Sequence, residues 1–407
     1  MRPSVDSQRL VTPVPPVPTT RIHTARLRAR ELIEENVMRA TTVALLAVFT
    51  ACVPDAPREA RPDGGVTADP KCASMETVTK DLVVSSGTMT DTVPTGCWTL
   101  DGKLTIRGTG VTSLSMLGDV RGANEILLDN TKLATFDTKS TLEISGPIRI
   151  TNNAKLAGID KLHAGTTATL VLIDGNPLLT SLDGAFDDIA QVASTVTIRN
   201  NAALASVEMP KLELVGDSQI GQSLLITNNA ALATIDLPAF TYPNRLEISN
   251  NAKLSSIGDL PAVQIVSDLV IRNNPQLATL PAFPSLQKIG GNITISGNQT
   301  LSALGDLPVL ALVVGTIAVD SNPALTSIGG LPPSLAMSIS GLSITNNTAL
   351  TDLGRLAHES YGAITITNNT SLNNCKAREV DVCTNHSTQS TINGNHTQNN
   401  CTSWCGR

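Results

Sequence analysis

From residue 126 onward the chain repeats one pattern: aliphatic, any residue, aliphatic, two of any kind, asparagine, two more, aliphatic, two more, aliphatic. The asparagine falls at Asn130, Asn153, Asn176, Asn201, Asn229, Asn251, Asn274, Asn298, Asn322, Asn347 and Asn369, in steps of 22 to 28 residues. Around Asn251, Leu246 and Ile248 alternate with Glu247 and Ser249. That alternation predicts a strand with one face turned inward. Leu254 and Ile257 follow three and six residues after the asparagine, and the equivalent places elsewhere hold Leu156 and Ile159 or Leu350 and Leu353. Each coil therefore aims several aliphatic groups at one axis. No coil buries them alone, but stacked neighbours do.

The pattern predicts an all-β-rich fold, a right-handed parallel β-solenoid of about eleven leucine-rich-repeat-like coils with a period of 22–28. Strands stacked about 4.8 Å apart would make a rod on the order of 50 Å long. The residue before each asparagine is Asp129, Asn152, Gly175, Asn200, Asn228, Asn250, Asn273, Gly297, Ser321, Asn346 or Asn368. Most are types that tolerate a left-handed backbone, so each strand is expected to end in a sharp corner there. The repeated asparagine is expected to point inward. Its amide would bond backbone groups of its own turn and of the next coil, which a buried corner leaves unpaired.

Composition narrows the chemistry. The chain is 41% hydrophobic but only 2% aromatic, so its core must be Leu, Ile, Val and Ala. Scarce aromatics disfavour a surface that stacks on sugars or bases. A net charge of −6 with no basic run in the repeats gives no electrostatic footprint for nucleic acid.

Seven cysteines are present, and none lies between Cys97 and Cys375. Cys72, Cys97, Cys375, Cys383, Cys401 and Cys405 bracket the repeats, where disulfides would close both ends in an oxidising compartment. Fifteen pairings are open; the local one is Cys72–Cys97, Cys375–Cys383 and Cys401–Cys405. Residues 72–125 are expected to hold an amino-terminal cap and a degenerate coil at Leu104–Ile106, and 126–374 the solenoid. Residues 375–407 read as a carboxy-terminal cap, with the stack ending at Cys375, because an exposed solenoid end is a sheet edge that needs cover.

The remaining cysteine, Cys52, ends a short apolar run in a segment, 38–52, with the pattern of a signal peptide. Thr50-Ala51-Cys52 is similar to a bacterial lipobox, which makes Cys52 the lipidation candidate. The alternative is an ordinary signal peptide on a secreted chain. Residues 1–37 lack signal character, which implies translation from Met38 or a long leader. Residues 53–71 are rich in Pro, Gly, Asp and Arg and read as a disordered tether.

The segments Leu224–Leu232 (LLITNNAAL) and Leu342–Leu350 (LSITNNTAL) carry a family resemblance. The repeat resembles leucine-rich repeats with Asn-x-x-Leu spacing and no helical half, and most of all the receptor L-domain family. The match spans roughly residues 100–405. It implies a ligand-binding solenoid, as at the ends of growth-factor-type receptors and in fungal wall proteins. The chain lacks a kinase, a transmembrane helix and intervening cysteine-rich modules, so signalling is not implied. A bacterial, surface-anchored relative is.

No catalytic constellation appears. The five histidines, His23, His163, His358, His386 and His396, are scattered, and no Gly-x-Ser-x-Gly, His-Glu-x-x-His or phosphate loop occurs. His386 and His396 lie among Cys383, Cys401 and Cys405, but without CxxC spacing, so disulfides are expected there rather than zinc. No cofactor is expected. Asn-x-Ser/Thr triplets, including those at Asn298, Asn369 and Asn395, read as by-products of the repeat.

The outward strand face is the expected binding surface. Its rows lie four and two residues before each asparagine. They carry Arg149, Arg199, Glu247 and Arg272, an apolar group of Ile126, Leu128 and Leu172, and hydroxyl pairs such as Thr365 and Thr367. The expected function is a non-enzymatic cell-surface or envelope-anchored binding or adhesion protein for a protein or glycan. A structural envelope or matrix component is the alternative. An ice-binding protein or a polysaccharide-acting β-helix enzyme ranks lower.

Overall fold

The computed structural model describes residues 72–396, apart from 73, 86, 90, 183, 217–222, 306, 330–337, 355, 357–359 and 384–388. The expected leader, signal segment and tether, with Cys52, lie outside the described residues, as do Cys401, Cys405, His23, His358 and His386.

The described chain is a parallel β-solenoid of about 12 turns. Successive coils each place one strand in a principal sheet. Examples are Ser223–Thr227, Arg245–Ser249, Asp268–Arg272 and Ile293–Ser296, each hydrogen-bonded in parallel to the next. Register is held by the apolar column: Ile226, Ile248, Ile271, Ile295, Val319, Ile344, Ile366 and Ile392 lie opposite one another in succession. A one-residue slip would turn that column to solvent. Shorter strands such as Thr234–Asp236, and Tyr242–Pro243, Lys288–Ile289 and Leu312–Val313, build the other sides of the coils.

One coil buries more than the strand pattern implied. Leu246, Ile248, Leu254, Ile257, Leu260, Val263 and Val266 are all in the core. Phe136, Phe186, Phe240 and Phe283 are buried as well. The corners are left-handed as expected: φ is 57° at Asn152, 58° at Asn228, 59° at Asn346 and 71° at Gly175.

The buried asparagine ladder forms. Asn251 donates its N–H to Asn274 Oδ1 (3.1 Å) and its Nδ2 to the Ile226 carbonyl of the preceding coil (3.0 Å). Asn153 through Asn369 repeat this geometry, all fully buried.

Asn130 departs from the expectation. It is exposed, with φ 51°, and the rung is Thr131, whose N–H and Oγ1 both donate to Asn153 Oδ1 (3.0 and 2.8 Å). Leu133 and Phe136 still follow at the third and sixth places after Asn130, so this corner is one residue shorter than the others. Asp129 belongs to the strand Asp119–Asp129, not to the left-handed corner. Ile126 and Leu128 are fully buried core residues, so the outward apolar group is dissolved and only the half-buried Leu172 remains outside.

The stack also does not end at Cys375. A helix, Asn374–Cys383, replaces the later sides of that coil and buries Ala377 and Val380 where other coils bury Leu and Ile. The strand Gln389–Asn393 then pairs in parallel with Ala363–Thr367. Asn395 accepts from the Asn369 N–H (3.1 Å) and donates to the Ile366 carbonyl (2.8 Å), adding a rung.

Cys72 and Cys97 form a disulfide across 25 residues. Cys375 is disulfide-bonded, and its partner lies outside the described residues. That partner is not Cys383. The two cysteines stand eight residues apart in one helix, about 12 Å at 1.5 Å per residue, beyond the reach of a disulfide.

Candidate functional site

The outward face of the principal sheet is the most extended regular surface of the described residues. Its side chains are placed by the pleat: where Leu246 and Ile248 point in, Arg245, Glu247 and Ser249 point out. All four charged candidates named from the sequence lie on this face. The parallel register brings charges of opposite sign together across neighbouring coils.

Glu247 is the centre of the largest group. It is only 8% exposed, and it accepts from Arg245 (2.7 Å), Arg272 (3.0 Å) and Ser249 Oγ (3.0 Å). Burial acts to raise its carboxyl, but the hydrogen bonds from Arg245 and Ser249 and the charges of Arg245 and Arg272 outweigh it and hold it below the usual range. Arg245 also reaches Asp268 at 3.7 Å.

Arg199 lies directly opposite Asp174 and binds one carboxylate oxygen through Nε (2.8 Å) and Nη2 (2.7 Å). Asn200 Nδ2 donates to the other oxygen at 2.8 Å. Arg149 pairs with Glu125 (2.6 Å), which also holds Lys103 (2.9 Å). Arg149, Arg199 and Arg272 thus tie neighbouring coils together.

Beyond residue 291 the face changes character. Thr294, Ser296, Ser343, Thr345, Thr365, Thr367 and Thr391 supply short hydroxyl side chains in register. Asp320 is held by Thr345 Oγ1, Asn346 Nδ2 (2.9 Å) and Ser321 Oγ (3.0 Å). Burial acts to raise its carboxyl, and these hydrogen bonds override it, keeping the group ionised and below its ordinary value.

The other candidates are dispersed. His163 meets Asp188 at 3.2 Å on a different side of the coils, and Lys211 shares that carboxylate. His396 lies in the last coil, exposed, with its backbone N–H bonded to the Leu372 carbonyl. Among the described residues the one set with metal-ligand spacing is Cys72, Cys97 and Asp119, and its two sulfurs are joined to each other, which removes the thiolates a metal would need. Sequence reasoning missed Asp119: it is 6% exposed and salt-bridged to Arg121 (2.7 Å) and Lys139 (3.0 Å), with Ser140 Oγ at 2.7 Å. It lies outside the repeat, so no periodicity marked it.

Fold and face together define a β-solenoid that presents a long, internally paired, regular sheet surface. No protein-family model, no curated protein and no solved structure matches the chain.

Proposed function

We propose that this chain is an exported, envelope-anchored binding or adhesion protein of receptor L-domain type, and that it engages a protein or glycan through the outward face of its principal sheet. The observation that carries this reading is the face itself. It runs in register from Leu82 to Asn393, its strands from Asp119–Asp129 onward are fixed from beneath by the ladder, and its charges are tied across coils. A surface fixed in this way loses little conformational entropy on binding. The lipobox-like end at Cys52 supports attachment to a bacterial envelope through acyl chains.

The test joins anchor and face. Intact-mass analysis of the membrane fraction is expected to show a mature chain beginning at acylated Cys52. In a solid-phase assay against envelope preparations, the triple variant Thr294→Arg, Ser343→Arg, Thr365→Arg is expected to bind about tenfold more weakly or worse, with an unchanged melting curve. Equal binding by the variant, or no binding by either protein, would overturn the reading.

A further inference from the structure

Another side of the coils carries a recess that the sheet face does not use. Gln264, Gln287 and Ala311 occupy the same place in three successive coils. The Gln287 N–H donates to the Gln264 carbonyl (2.8 Å), and the Ala311 N–H to the Gln287 carbonyl (2.8 Å). Two long carboxamides are thus followed by a methyl group, and a shallow, widely open groove of about 480 Å³ lies beside them, with Gln264, Gln287, Val309 and Ala311 exposed. It is lined by Gln264, Pro284, Ser285, Gln287, Val309 and Ala311.

The chemistry of that lining is specific. None of the six side chains ionises. Tyr242 lies in the coil before and donates its hydroxyl to Gln264 Oε1 (3.2 Å), which fixes one carboxamide and leaves its Nε2 protons for a ligand. Among the described residues, the Gln287 carboxamide and the Ser285 hydroxyl have no protein partner. Val309 is 46% exposed, a large apolar group that water covers poorly.

We infer that this groove binds a neutral, hydroxyl-rich chain, an uncharged oligosaccharide. A carboxamide both donates and accepts, as a sugar hydroxyl does, and coils about 4.8 Å apart repeat that offer along the groove. Pro284 and Val309 suit the C–H faces of the rings. A charged ligand would shed its hydration with no counter-charge to replace it. An extended peptide would seek unpaired backbone, but the N–H groups of Gln264, Gln287 and Ala311 are already bonded to the preceding coil. The inference deepens the binding-protein reading by naming a ligand class, but it does not rest on the sheet face.

The test is calorimetric titration of the purified full chain with cellohexaose and chitohexaose, both neutral, and with hexagalacturonate, which is acidic. At least one neutral hexasaccharide is expected to bind, and the acidic one not. The double variant Gln264→Ala, Gln287→Ala is expected to weaken binding about tenfold or more. Ala311→Leu, at an exposed position, is expected to fill the groove without offering a stacking ring and to abolish binding. Both variants should keep the wild-type melting curve. Absence of binding by either neutral sugar, equal binding of the acidic one, displacement by an extended neutral peptide, or indifference to Ala311→Leu would overturn the inference. None of these results bears on the sheet face, whose arginine variants should in turn bind the hexasaccharide as the wild type does.

Discussion

At the scale of one residue, the buried asparagine carries the fold. Each rung satisfies a backbone N–H and carbonyl at a corner where the strand has stopped supplying partners. Asn274 Oδ1 accepts from the Asn251 N–H (3.1 Å), while its Nδ2 donates to the Ile248 carbonyl (3.0 Å). Leucine is close in size but leaves both groups unpaired in the core. Each unsatisfied group costs about 1–3 kcal/mol, so Asn274→Leu is expected to lose several kcal/mol, read as a fall in the urea midpoint. Asn395, last on the ladder, bonds the Asn369 N–H and the Ile366 carbonyl, both of fully buried residues, so the same change there is expected to cost a similar amount. The inward role of the asparagine was legible from its phase against Ile248 and Leu254. The identity of the first rung was not. The corner at Asn130 lost one residue between its strand and its next apolar position, so counting backward from Leu133 and forward from Ile126 gives different answers. Only the register with Asn153 decides for Thr131.

At the scale of elements, charges set between strands tie coil to coil, and their pH dependence follows. Asp119 opens the strand Asp119–Asp129. Burial acts to raise its carboxyl, but hydrogen bonds from Ser140, Lys139 and Arg121, with the charge of Arg121, bring it from 3.8 down to about 2. A folded value below the unfolded one means that the stabilisation is present above pH 3.8 and is lost as pH falls through about 2. Asp119→Asn is therefore expected to have a lower urea midpoint than the wild type at neutral pH. That gap should close as the pH drops from about 4 toward 2. A gap constant across that range would show that the ion pairs add no stability. The expected location of charge on the outward face was legible from alternation alone, as at Glu247. The full pairing was not: Arg245 lies two residues from Glu247 in the same strand, but Arg272 meets Glu247 only through the register with the next coil. The final coil was hidden for a related reason. Its helix, Asn374–Cys383, breaks the strand rhythm, and Asn395 sits in a triplet that reads as a surface motif until Gln389–Asn393 is seen to pair with Ala363–Thr367.

At the scale of the whole solenoid, each coil leans only on its neighbours, so stability is close to a sum of coil and interface terms and the ends fray first. The amino-terminal end is held by the Cys72–Cys97 disulfide and by Trp98, which is fully buried and donates Nε1–H to the Leu117 carbonyl (3.0 Å). A crosslink spanning 25 residues restrains the unfolded end by about 3.5 kcal/mol in the chain-entropy account. That restraint acts on the first coils alone, since the central coils carry their own ladder and ion pairs. Cys72→Ser, Cys97→Ser is therefore expected to unfold in two steps in urea. Trp98 emission should shift to the red at low denaturant, while far-ultraviolet circular dichroism, which reports all the strands, should hold until the wild-type midpoint. Trp404, the second tryptophan, should be replaced by Phe in both proteins so that emission reports Trp98 alone. A single transition seen together by both probes would mean that the coupling between coils exceeds the restraint at the end, and that the solenoid folds as one cooperative unit rather than as a sum of its turns.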